Sequence, residues 1–133
     1  MRRNQKLERI RKPRIFNVEL TRIPDRNGNI DSASDVDTNV PWSVIDHSPD
    51  GFNWGYGGSG PADLALNILN AFVPPGTDGH EEVNCYRNTC SRTAWDLHQA
   101  FKNEFLVGMS MEGGPIEADT ITEWLEAHTD ERT

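Results

Sequence analysis

A chain of 133 residues, 35% hydrophobic and 26% charged, with a mean hydropathy of −0.67, is long enough for one core and leaves little room for a second. No apolar run reaches the length of a membrane span, and the basic start lacks the apolar segment of a signal peptide, so a cytoplasmic, non-membrane protein is expected. The net charge of −8 is divided unevenly: residues 1–14 hold seven basic residues against Glu8 alone, and residues 15–133 hold six against twenty acidic ones, a body of −14. Such a body repels phosphate backbones and favours basic partners, which leaves nucleic acid to the basic arm alone. Residues 1–14 read as that arm, a solvated leader, and residues 15–133 as a single domain.

In chain order, Ile15 to Arg22 alternates apolar and polar residues, the period of a half-buried strand. Asp25-Arg26-Asn27-Gly28 has turn chemistry, because Asn-Gly readily takes positive φ. Residues 29–39, rich in Asp, Ser and Asn, allow a short strand at most and then an exposed acidic loop. Val40 to Asp46 is a second strand candidate, which Pro41 confines to an edge or a strand start. In GFNWGYGGSG, residues 51–60, the rings of Phe52, Trp54 and Tyr56 recur at period two, so an extended chain sets all three on one face. Gly57-Gly58-Ser59-Gly60 reads as a turn, Gly60 as an N-cap, Pro61 as the first helical residue and Asp63 as a first-turn charge suited to the helix dipole.

The helix opened by Pro61 runs to about Phe72 and ends at Pro74-Pro75-Gly76. It is apolar almost all round, leaving Asp63, Asn67 and Asn70 as a narrow polar stripe, so it reads as the buried centre of the fold. The stripe reads as a seam hydrogen-bonded to neighbouring backbone, and also as the place to look for a pocket. Residues 74–90 form a polar loop. Ser91 then caps a helix carrying Ala94, Leu97, His98, Phe101 and Phe105 at helical intervals. Gly108 and Gly113-Gly114-Pro115 punctuate its exit. A last helix starts near Asp119 or Thr120, with Thr120 and Glu123 as a capping box, and buries Ile121, Trp124, Leu125 and His128. The sum is an α+β fold: a small, mostly antiparallel sheet of about three strands packed against about three helices.

The run Gly51-Phe52-x-Trp54-Gly55-Tyr56-Gly57-Gly58-Ser59-Gly60-Pro61-Ala62-Asp63-Leu64-Ala65-Leu66-x-Ile68-Leu69 resembles the hallmark of a family of small domains of unknown function encoded by bacteria and phages. His47-Ser48-Pro49-Asp50 is similar to that family's lead-in, Gln99-x-Phe101-Lys102-x-Glu104-Phe105 to its later helix, and Ile116 through Trp124-Leu125 to its closing helix. The likeness spans roughly residues 40–127 and omits the Cys85–Cys90 loop. It implies an architecture and a phage or mobile-element setting, and brings no catalytic residues.

The residues that would bind a ligand are Trp54, Tyr56, Gly57, Gly58, Ser59, Gly60, Asp63 and Asn67. A glycine turn opening a helix can cradle phosphate. Here, however, no Lys or Ser/Thr pair follows the glycines, Pro61 removes a donor, and Asp63 places negative charge where the phosphate would sit. Base stacking on Trp54 and Tyr56 needs a basic groove, and the body is acidic. Close packing of a ringed strand on the buried helix accounts better for the glycines. His80, Cys85, Cys90 and His98 are the zinc candidates, but Cys-x4-Cys is looser than the usual knuckle and His98 sits among apolar positions; no metal or cofactor is assigned, and both cysteines are expected reduced. His47 with Asp46 and Asp50 offers an acid/base pair, and no nucleophile–base arrangement has local support. The expectation is a non-catalytic protein that engages a host macromolecule, most simply a host protein, through its acidic surface. The alternative is a nucleotide- or phosphate-binding domain, or a small enzyme, using Gly57–Gly60.

Overall fold

The computed structural model describes residues 7–48, 51–76 and 80–130. Asp50, and Arg2, Arg3 and Lys6 of the arm, lie outside the described residues. The fold is built around helix α1, Ser59–Phe72, in which every residue from Gly60 to Phe72 is buried. Its Leu64, Ala65, Leu66, Ile68 and Leu69 are wholly inaccessible to solvent and belong to one hydrophobic cluster that takes in Val18, Leu20, Ile116, Phe101, Leu106 and Ile121. A helix this apolar needs a partner on every side.

On its polar side the partner is irregular chain. Asn67 Oδ1 accepts from the backbone N–H groups of Ser43 (2.7 Å) and Val44 (3.0 Å) and from Ser43 Oγ (3.1 Å). Its amide nitrogen donates to Val44 O (2.9 Å) and Asp63 O (2.8 Å). Asn70 donates to Ser43 Oγ (3.0 Å) and accepts from Ser91 N (3.0 Å). The stripe is therefore the hydrogen-bonded seam expected of it. It also explains why Val40 to Asp46 is not the strand that its pattern suggests. The segment is buried from Val40 to Ile45, but side chains of α1 take its amides, and only Ile45 makes a bridge, with Arg87. Buried backbone polar groups need partners, and here a helix supplies them.

The sheet lies elsewhere. Strand β1, Val18–Arg22, is central, flanked by β2, Val36–Thr38, and by a last strand, Gly113–Ile116, both antiparallel to it. The turn at Asp25 forms as its chemistry implies: Asp25 Oδ1 accepts from Asn27 N (2.8 Å) and Asn29 N (3.0 Å), and Gly28 takes φ +80°. Between α1 and the second helix, the supposed polar loop contains a hairpin of β3, Glu82–Asn84, and β4, Thr89–Ser91. That makes Gly113–Ile116 β5. The fold is α+β, with three helices, a three-stranded antiparallel sheet and this two-stranded hairpin among the described residues.

Helix α2, Arg92–Phe101, is capped by Ser91 Oγ, which accepts from Ala94 N (3.0 Å), and passes into a π-helical turn at Lys102–Leu106. Helix α3, Ala118–Asp130, packs Trp124 edge-on against Phe101, ring centres 5.3 Å apart. It begins ahead of Thr120, so no Thr120–Glu123 box caps it; Asn17 Oδ1 takes the N–H of Ala118 (2.9 Å) instead. Residues 7–14 are mostly exposed and are tied to the body at a few points. Ile10 is buried, Glu8 N donates to Trp42 O (2.7 Å), and Arg14 N takes the Ala71 carbonyl in the last turn of α1 (2.8 Å). Among the described residues, no helix is long and apolar enough to cross a membrane.

Replacing Asn67 by Ala takes the partner from two N–H donors, the Ser43 hydroxyl and the Val44 carbonyl in the core, while the Asp63 carbonyl keeps its helical bond. We expect a loss of about 3 kcal/mol in urea unfolding, at 1–3 kcal/mol per unsatisfied buried group with partial relaxation. A loss under about 1 kcal/mol would show that water or rearranged chain replaces the seam.

Candidate functional site

The stripe ends at Asp63, the fifth residue of α1. It is thus not in the first turn, and its carboxylate serves the neighbouring loop, not its own helix dipole. Wholly buried, it accepts from His47 N (2.9 Å), Ser48 N (2.8 Å) and Asp46 N (3.2 Å). Burial pushes its carboxyl above the ordinary range, while those three N–H bonds work in the opposite direction.

Clamping that loop fixes the ring of His47. His47 Nε2 lies 3.0 Å from His98 Nε2 and 3.2 Å from Asp46 Oδ2, and its ring runs parallel to the indole of Trp95. His98, buried on α2, holds Nδ1 2.6 Å from Trp95 O. A carbonyl only accepts, so Nδ1 of His98 carries a proton and its Nε2 offers a lone pair to His47. Burial first, and the nearby His47 as a lesser cause, push the His98 imidazole below its usual value. The result is a hydrogen-bonded pair in which the N–H on His47 Nε2 faces Asp46 and the Nε2 lone pair of His98. Asp46 and His47 were paired from sequence; His98, distant in the chain, joins them only in the fold.

The other metal candidates go elsewhere. His80 Nδ1 lies 2.8 Å from Thr93 Oγ1, and Cys85 and Cys90 face each other. Among the described residues, no group of three or more His, Cys, Asp or Glu is placed to hold a metal ion.

At the glycine corner the three rings do not share a face, and residues 51–56 form no strand. Phe52 and Trp54 are buried, but Tyr56 is 42% exposed. Gly55 intervenes with φ +89°, its N–H donating to Leu106 O (2.8 Å), and this turns the chain before Tyr56. Gly58, not Gly60, is the N-cap; the helix begins at Ser59, so Pro61 is its third residue. Gly57 is exposed with open space beside it, whereas protein groups lie against Gly58 and Gly60. A Cβ on Gly58 would come within 2.3 Å of the Tyr56 ring, and one on Gly60 within 2.7 Å of Asn53 Cβ. Asp63 and Asn67 are engaged with backbone of residues 43–48.

A buried arginine organises this corner. Arg22 is 6% exposed; its guanidinium lies 4.3 Å from the ring centre of Trp54, and it donates to Asn53 Oδ1 (2.6 Å), Trp54 O (3.2 Å) and Met111 O (2.8 Å). Its Nη1 is buried without a partner. Strand parity carries the signal for it, since Arg22 follows Val18 and Leu20 at period two and so faces inward.

A family model, that of the family of unknown function DUF6166, matches residues 25–127. No curated protein and no solved structure matches.

Asn53 is held by Arg22, by Ser32 O (2.9 Å) and by Trp54 N (2.9 Å), whereas the Tyr56 ring is free to swing outward. Gly60→Ala should therefore cost about 1–3 kcal/mol of stability by overpacking, and Gly58→Ala clearly less; equal losses in thermal unfolding would contradict this account of the corner. For His98 the sign follows from its lowered value. The unfolded chain takes the proton first, so stability is full above about pH 6.5 and falls as pH drops below it toward the folded-state value. His98→Gln should flatten that decline in urea midpoints measured from about pH 7.5 to 5. An unchanged slope would show that His98 is not the titrating group.

Proposed function

The chain belongs to that family, and on this footing we propose a non-catalytic protein of a phage or mobile element that binds a host protein in the cytoplasm through its acidic surface. The observation that carries the reading is charge: residues 15–133 hold −14. Glu19, Asp25, Asp31, Asp35 and Asp37 are exposed on and around β1 and β2, with Arg26 the one exposed cation from residue 19 to residue 37. A surface of one sign steers a partner of the other and rejects phosphate backbones. A basic groove, such as that of a nucleic-acid-handling protein, is the matching shape, and occupying it would inhibit that protein.

Two features of the interior support the same reading. The polar side chains of α1 are engaged in holding the chain together, and Tyr56 and Asn53 lie against Gly58 and Gly60. The alternative of a nucleotide at Gly57–Gly60 has less behind it for that reason.

The test is capture from host lysate by wild-type protein and by a variant with Asp25, Asp31, Asp35 and Asp37 changed to Asn. A partner should be held at low ionic strength, shed by about 1 M salt, where the screening length is about 3 Å, and lost by the variant. A partner retained at high salt, or held equally by the variant, would contradict an electrostatic interface.

A further inference from the structure

We infer that Cys85 and Cys90 are a redox-active dithiol, closing to an intrachain disulfide by exchange with a small-molecule disulfide. The two cysteines flank the loop of the β3–β4 hairpin. Both are free thiols, and their Sγ atoms lie 2.8 Å apart. A disulfide bond is about 2.04 Å long, so only a short further approach separates the two states.

The backbone explains the meeting. Val83 pairs with Cys90 and Asn84 with Thr89, and Cys85 N then donates to Asn88 O (3.1 Å) to close a tight loop in which Asn88 takes φ +75°. Cys85 and Cys90 therefore share one face of the hairpin on a diagonal. The hairpin is also tied to the core. Arg87 N donates to Ile45 O (2.9 Å) and Ile45 N to Arg87 O (3.2 Å), the Asn88 amide donates to Ser43 O (2.8 Å), and Ser91 N to Asn70 (3.0 Å). The fold itself presents the thiols to each other.

The two sulfurs have different roles. Cys90 is wholly buried, and Cys85 is partly exposed. The adjacent Cys85 thiol and burial both push the Cys90 thiol up, so it keeps its proton. Cys85, as thiolate, attacks one sulfur of the disulfide RSSR; that S–S bond breaks, one RS⁻ leaves, and a mixed disulfide forms at Cys85. Cys90 Sγ then attacks Cys85 Sγ, the mixed bond breaks, and the second RS⁻ leaves with the Cys90 proton. Two protein thiols are oxidised to one disulfide and RSSR is reduced to two thiols.

The experiment incubates the full chain with glutathione disulfide, blocks remaining thiols with an alkylating agent and reads the intact mass. Wild type should lose two hydrogens and take no label. Cys90→Ser should trap one glutathione per chain, and Cys85→Ser should take none. Two labelled thiols in the wild type, a lasting glutathione adduct on it, or a disulfide-linked dimer would each overturn the proposal, and the wild-type result decides even where a variant fails to fold. An adduct on Cys85→Ser equal to that on Cys90→Ser would overturn the assignment of roles.

Discussion

One constraint shapes this molecule: α1 is covered all round, yet one of its sides is polar. Asp63, Asn67 and Asn70, four and three residues apart, stack along that side. Each has carbonyl or carboxylate oxygens that must not be buried without donors. The donors come from irregular chain at 43–48 and from Ser91, which carries an equal and opposite need. The helix lacks a sheet on this side because its own side chains perform the pairing that a neighbouring strand would otherwise provide. Three consequences follow. Val40 to Ile45 is buried without being a strand, α2 starts at a fixed place because Ser91 is tied down, and His47 is delivered to His98.

The first turn of the same helix solves a different problem. There the chain must bring Trp54 beneath α1 and return at once. Arg22 stacks on the indole and donates to Asn53, and Asn53 in turn occupies the space beside Gly60. A side chain at Gly60 would displace Asn53 and with it the arginine's partner. Gly58 and Gly60 thus mark close contact between protein groups, and the absence of a phosphate signature after them agrees with that.

Much of this was legible from the residues. An apolar helix with one narrow polar stripe implies burial with a satisfied seam, because no other arrangement escapes the cost of burying amides. Ser91 as a cap and the Asn27-Gly28 turn were readable as local chemistry. The illegible parts depend on partners distant in sequence. Gly113–Ile116 contains two glycines and a proline, with no strand propensity, and is a strand only because β1 lies alongside it. The β3–β4 hairpin is short and polar, so no periodicity announces it. Tyr56 failed because a period-two pattern presumes an unbroken extended chain, and Gly55 breaks it. The pairing of His47 with His98 had no local signal at all.

The amides that bond to side chains of α1 have no strand acceptor and are held as core. Native-state hydrogen exchange reads them one by one. The amides of Ser43, Val44, His47, Ser48 and Ser91 should exchange only through global unfolding, with opening free energies within about 1 kcal/mol of the total. Exchange as fast as that of the exposed amides in residues 26–33 would contradict it, and the polar stripe of α1 would then be a surface wetted by solvent.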